Sequence, residues 1–266
     1  MDSRSFLGLT RIDDSSSFSM PVDLRISTGG YFMYGGAGLG SCISALETVS
    51  RRNLVWATAQ YLSFAKTDEV VTIEVTLAVN GPQITQGRAV ARVGDREILT
   101  VNAALGDRNF VAAGQFLKMP EAPPPGRARA REHRHEVAGT IHDSLEQRIV
   151  KGRTLEQLDG TLSDGNVVMW AQIPALIESI DATALGILGD FVPMAVGQAV
   201  GLAAGGNSLD NPIRIVKLVP TKWVLLDIYI DAIDRGFGHG RVNMFAQDGT
   251  LMATASQSCK ARKWKN

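Results

Sequence analysis

"FAKTDEVVTIEV" (Phe64–Val75) and "LVPTKWVLLDIY" (Leu218–Tyr229) lie 154 positions apart and align without a gap, Thr67 on Thr221 and Val70 on Val224. Upstream, the same offset lays one Gly-rich helical stretch, 35–53, on another, 189–207. Downstream, one deleted residue makes the offset 153. It pairs "GRAVARVGDREILTVNAAL" (Gly87–Leu105) with "GRVNMFAQDGTLMATASQS" (Gly240–Ser258), so that Gly87, Arg88 and Asp95 fall on Gly240, Arg241 and Asp248. Identities are few, so order and spacing carry the comparison: the chain holds two copies of one unit.

Each copy has a helical segment followed by strands. Leu39, Cys42, Ile43, Leu46 and Val49 recur at helical spacing, and the second segment, Phe191–Ala204, is apolar or small nearly all round. Such a helix has to be covered on several sides. Strand patterns follow at Val70–Val79, Gly87–Val93 and Glu97–Ala104 in the first copy, and at Trp223–Ile233, Gly240–Ala246 and Leu251–Gln257 in the second. The turns "VGDRE" and "AQDGT" carry the Gly and Asp of antiparallel hairpins. Consecutive strands with short turns define an α+β unit in which a long helix is clasped by a curved antiparallel sheet. The expected organisation is a first unit over 1–118, a Pro- and Arg-rich linker over 119–136 and a second unit over 137–266. "MPEAPPPGRARAREHRHE" (Met119–Glu136) lacks apolar periodicity and is expected to act as a tether. A basic arm for RNA or a phosphorylated ligand is the lesser alternative, because no aromatic residue is interleaved with the arginines.

The 266 residues are 45% hydrophobic, enough for a substantial core, and carry 27 basic and 27 acidic side chains. That balance offers no footprint for nucleic acid or an anionic membrane. The N-terminal sequence lacks the basic start and apolar core of a secretory signal, so a cytoplasmic location is expected. Phe191–Gly206, flanked by Asp190 and interrupted by Pro193 and Gln198, falls short of the roughly 20 apolar residues of a membrane span and suits a buried helix. Cys42 and Cys259 can form neither a disulfide framework nor a zinc site and are expected as small core residues. "GGAGLGS" (Gly35–Ser41) lacks the spacing of a dinucleotide loop. His133 and His135 fall in the linker, His142 at a strand start and His239 in a loop. None has a partner at metal spacing, and no metal is expected.

The order helix, "NSLDN", apolar strand, "WVLL" strand, "QDG" hairpin and "ATASQS" resembles the TesB-type double hot-dog acyl-CoA thioesterases. The first half fits the same layout with "YGGAGLG" before its helix and "AQYLSF" after it. The resemblance covers most of the chain except the linker and the first 25 or so residues. It implies two hot-dog units in tandem, hydrolysis of an acyl-CoA to fatty acid and CoA, no cofactor, and a homo-oligomer. It further implies a general-base carboxylate at Asp210 in "SLD", with Gln257 orienting the water. The first copy has Trp56 and Ala104 at those places, consistent with one chemical site per chain. Backbone amides at the Gly-rich helix entries, Gly35–Gly40 and Gly186–Gly189, are expected to face the ligand, with Gly35 and Gly36 as contacts and Tyr61, Phe64 and Met194 along an acyl channel.

Two departures from the family pattern stand out. The family's strand hydroxyl falls at Asp231, which would put a second carboxylate beside Asp210 and leave one of them protonated near neutrality. The "GGQ" of many relatives is Gly35-Gly36-Ala37 here. Asp210 is also explicable as a turn residue among Asn207, Ser208 and Asn211. A non-catalytic acyl-binding or structural double hot-dog protein therefore remains the alternative to an enzyme.

Overall fold

The first copy begins with a short helix, α1 (Ser3–Leu7), and two strands, β1 (Thr10–Arg11) and β2 (Ser17–Pro21). The long helix α2 (Gly35–Ser50) follows, then β3 (Leu54–Tyr61), β4 (Val70–Asn80), β5 (Ile84–Val93) and β6 (Arg96–Gly106). Leu39, Cys42, Ile43 and Leu46 are fully buried, as their spacing requires, and α2 lies against β3, β4, β5 and β6. The computed structural model describes residues 1–133, 138–177 and 179–264.

The second copy opens with β7 (Arg129–Ala130), α3 (Ile141–Ser144), β8 (Glu146–Lys151) and β9 (Asn166–Gln172). Its central helix is broken into α4 (Ala182–Leu188) and α5 (Val192–Val200). The strands β10 (Ala204–Ser208), β11 (Asp210–Ile215), β12 (Val224–Asp234), β13 (Phe237–Ala246) and β14 (Leu251–Lys263) complete it. The repeat offsets carry β4 onto β12 and β5 onto β13 end to end.

Among the described residues, one antiparallel sheet joins the two copies in the order β1-β2-β4-β5-β6-β3-β11-β14-β13-β12-β9-β8-β7, with β10 also on β14. The seam is β3 against β11. There Thr58 faces Pro212, its own counterpart 154 positions away, so the copies meet about a local two-fold axis. On the other side of the sheet α2 packs on α4. Close contact requires small residues: a Cβ on Gly40 would sit 2.9 Å from the Thr183 carbonyl oxygen.

Three features differ from the sequence expectation. The second helical segment starts nine residues earlier than Phe191, at Ala182, and is interrupted around Asp190, because Phe191 caps α5 and Pro193 occupies its first turn, where no N–H is needed. The segment Ala182–Val200 is apolar and long enough to cross a membrane by composition, but 83% of the apolar window is buried in the protein. Second, the described part of the linker packs on the second unit. Met119, Ala122 and Ala128 cover the outer face of the second sheet over Trp170, Leu225 and Phe245, and Trp170 Nε1 donates to the Pro123 carbonyl at 2.8 Å. Proline fixes the backbone beforehand, so this stretch loses little entropy on docking. Third, His142 lies in α3 and His239 in β13, whereas His135 falls outside the described residues.

Candidate active site

The break between α4 and α5 places one carboxylate in an otherwise apolar helical layer. Asp190 is 7% exposed, and each of its oxygens is hydrogen bonded. Oδ1 accepts from the Ser208 hydroxyl at 2.9 Å and from Gln257 Nε2 at 2.5 Å. Oδ2 accepts the Gly36 amide at 2.8 Å, at the positive end of α2. Gln257 also donates to Ser208 Oγ at 3.2 Å and accepts the Val192 amide of α5 at 3.2 Å. Four segments, α2 of the first copy and β10, β14 and α5 of the second, thus fix a single carboxylate.

Burial raises the Asp190 carboxyl to about 6, and the three donors, Gln257, Ser208 and Gly36, hold it down from a still higher value. A base with that pKa is largely ionised near neutrality yet still basic enough to take a proton from water. Gly36 and Asp190 are themselves counterparts, 154 positions apart, so the two-fold axis brings the glycine of one copy to the acid of the other. A Cβ on Gly36 would meet the Ile187 carbonyl oxygen at 2.5 Å, and one on Gly35 would meet Asp190 Oδ2 at 2.7 Å. The glycines are what let the helix end reach the carboxylate.

Asp190 opens into a cavity of about 1,020 Å3 whose wall includes Gly35, Tyr61, Phe64, Met194 and Ser208. Tyr61 donates from its hydroxyl to the Gly35 carbonyl at 2.9 Å, and Tyr34 donates to the Asp190 carbonyl at 2.7 Å. Phe64 pairs with Phe32 across the wall, ring centroids 5.9 Å apart. Gly35, Tyr61, Phe64 and Met194 therefore line one cavity, and Gly36 serves the carboxylate.

The two acids expected to carry the chemistry lie elsewhere. Asp210 Oδ1 accepts the Ser258 amide at 2.6 Å, at the point where the pairing of β14 passes from β10 to β11. It fills a gap in the ladder, and Gln257 turns to Asp190 instead. Asp231 sits at a bulge in β12, exposed on the outer face and ion-paired to Arg241, so it does not share a site with Asp210. Gln257 is buried on an internal strand, with 2% exposure, rather than on an edge. The hydroxyl of the site is Ser208, two residues before Asp210. The sequence signal for the acid was the one carboxylate within the apolar run from Ala182 to Val200.

This geometry sets a buried carboxylate, held by an amide and a hydroxyl at a helix N-terminus, above a large cavity on tandem hot-dog units. A family model for the acyl-CoA thioesterase C-terminal domain matches residues 119–260, more than half of the chain. The chain belongs to the acyl-CoA thioesterase family, and it is a thioester hydrolase. A putative thioesterase from Novosphingobium aromaticivorans superposes with a TM-score of 0.84 at 26% identity, over 97% of this chain and 98% of that one. A hot-dog protein of unknown function from Alicyclobacillus acidocaldarius gives 0.84 at 16% identity over 99% and 98%. The TesB protein of Mycobacterium avium subspecies paratuberculosis gives 0.76 at 17% identity over 99% of both chains. No curated protein matches the chain.

Proposed function

We propose that the protein hydrolyses an acyl-CoA thioester to the free acid and CoA, with Asp190 as general base. The observation that carries this reading is the convergence of Ser208, Gln257 and the Gly36 amide on the buried Asp190 carboxylate, at the wall of a cavity of about 1,020 Å3. A water beside Asp190 loses its proton to the carboxylate as its oxygen attacks the thioester carbonyl. Gln257 and Ser208 fix the orientation of the carboxylate. Negative charge that develops on the carbonyl oxygen is met by the positive end of α2. Collapse of the tetrahedral species breaks the C–S bond, and the proton held by Asp190 passes to the departing thiolate. The acyl group packs against Tyr61, Phe64 and Met194.

The test is thiol release from acyl-CoAs of several chain lengths by wild type and Asp190→Asn. Release that depends on Asp190 supports the reading. Absence of release from every chain length, or equal rates in the variant, would favour an acyl-binding protein without catalysis. The same reading places the protein in the cytoplasm as a homo-oligomer; sedimentation of the purified protein at the mass of one chain would contradict the second point.

A further inference from the structure

The cavity has a charged corner that hydrolysis does not use. Arg131, near the end of the described part of the linker, donates to Gln147 Oε1, and among the described residues no carboxylate forms an ion pair with it. By accessible surface it is half-buried, yet protein crowds the guanidinium enough that burial lowers its pKa to about 10. Both hold for a group on the wall of a cavity. It is still a full cation at neutral pH.

Its charge is felt along the wall. Burial, and then the Arg131 guanidinium, hold His133 near pKa 4 and His142 near 3, so both rings are neutral. The rings lie 5.6 Å apart, and His142 meets Tyr34 edge-on at 6.4 Å. Tyr34 in turn donates to the Asp190 carbonyl. The rings and Tyr34 thus form the wall between the cation and the backbone of Asp190. The nearby acid on the same wall, Glu132, is engaged elsewhere: it accepts the Leu155 amide at 3.2 Å and stands 3.9 Å from Arg129. A guanidinium on the wall of a binding cavity, with no carboxylate paired to it among the described residues, is placed to receive an anion that arrives with the ligand.

That anion has two sources in an acyl-CoA: the phosphates, or a carboxylate on the acyl chain. The pantetheine arm keeps the phosphates many bonds from the thioester. Exposed cations suited to phosphates, Lys260 and Arg262, line another part of the cavity beside Trp264, where Arg262 stacks at 5.9 Å. We propose that Arg131 receives a carboxylate at the far end of the acyl chain, so that the enzyme favours half-thioesters of dicarboxylic acids over plain fatty acyl-CoAs. The planar guanidinium pairs with such a group through two parallel hydrogen bonds.

This inference rests on the thioesterase reading, and a binding arm separates the two. Chain-length series of dicarboxylic and monocarboxylic acyl-CoAs are compared by kcat/KM in wild type, Arg131→Gln and Arg131→Lys, with folding checked by thermal melting. The dicarboxylic preference is expected to fall about tenfold or more in Arg131→Gln and to be partly restored in Arg131→Lys, the size of one charge-assisted pair. In parallel, calorimetry with non-hydrolysable thioether analogues of CoA, with and without the terminal carboxylate, reads the same preference when no hydrolysis occurs. Failure of hydrolysis with the preference intact overturns the catalytic reading alone. Equal weakening of both analogues in Arg131→Gln, abolished when acyl-pantetheine analogues replace the CoA compounds, assigns the anion to the phosphates and overturns the inference. So does a wild type that binds both analogues equally.

Discussion

Replacing Asp190 with asparagine separates what the carboxylate does for the reaction from what it costs the fold. Burial raises the carboxyl from 3.8 to about 6, a rise of about two pH units. At roughly 1.36 kcal/mol each, the ionised form carries a folding penalty of about 3 kcal/mol. The folded protein holds this proton more tightly than the unfolded chain does. Its contribution to stability is therefore complete below about 3.8 and is lost as the pH rises through about 6. Asp190→Asn has no proton to lose, so its stability relative to wild type improves across that window by up to about 3 kcal/mol. A fixed cost offsets part of this: asparagine can accept from Gly36 with its oxygen, but its amide then faces Gln257 Nε2, another donor. The fixed cost does not vary with pH, so the slope is the readout. Thermal melting between pH 4 and 8 gives that slope, and a thiol-trapping assay gives the activity. Wild-type kcat/KM should fall about tenfold for each pH unit below about 6, and Asp190→Asn should lose roughly 10² to 10⁴-fold with no acidic limb. Gln257→Ala and Ser208→Ala each remove a donor that holds the pKa down, so their acidic limbs move to higher pH. A flat wild-type profile between pH 5 and 7, or a variant whose relative stability does not change with pH, would refute the reasoning.

The two other acids give opposite outcomes. Asp210→Ala leaves the Ser258 amide without its acceptor and should lower stability by about 1–2 kcal/mol in denaturant titration, while the acidic limb of hydrolysis stays in place. Asp231→Asn breaks an exposed ion pair, worth less than about 1 kcal/mol, and should leave kcat/KM at the wild-type level. Gly36→Ala drives a methyl into the Ile187 carbonyl and the Tyr34 ring, so both melting temperature and kcat should drop as α2 moves off Asp190. Trp170→Phe loses the bond to Pro123 and should expose the linker to limited proteolysis, at a cost of about 1 kcal/mol.

Much of the fold was legible because periodicity is a local signal. The buried side of α2 follows from Leu39, Cys42, Ile43 and Leu46, and the strands β4, β5, β12 and β13 fall on the predicted runs within a few residues. The linker misled because its composition is that of a disordered segment. Its apolar partners, Trp170, Leu225 and Phe245, are contributed by strands far along the chain. The site was half legible. Gln257 and the cavity-lining Gly35, Tyr61, Phe64 and Met194 were named beside the resemblance, whereas the carboxylate that Gln257 meets is Asp190 and not Asp210.

The reason lies in what each level of description contains. By itself the sequence determined the duplication, the antiparallel α+β units and the helix entries rich in glycine, because these depend on residues near one another in the chain. It did not single out Asp190, in its apolar run, as the acid to be buried over Asp210, among the polar Asn207, Ser208 and Asn211, or Asp231. That choice was made by the seam of β3 and β11 and by the packing of α2 on α4, which carry Gly36 to Asp190 across 154 positions. The same packing buries Asp190, gives it three donors and raises its pKa to about 6, while the ladder takes Asp210 and Arg241 takes Asp231. Chemical type is written in the residue; basicity comes from the dielectric and the donors that the tertiary structure assembles around it.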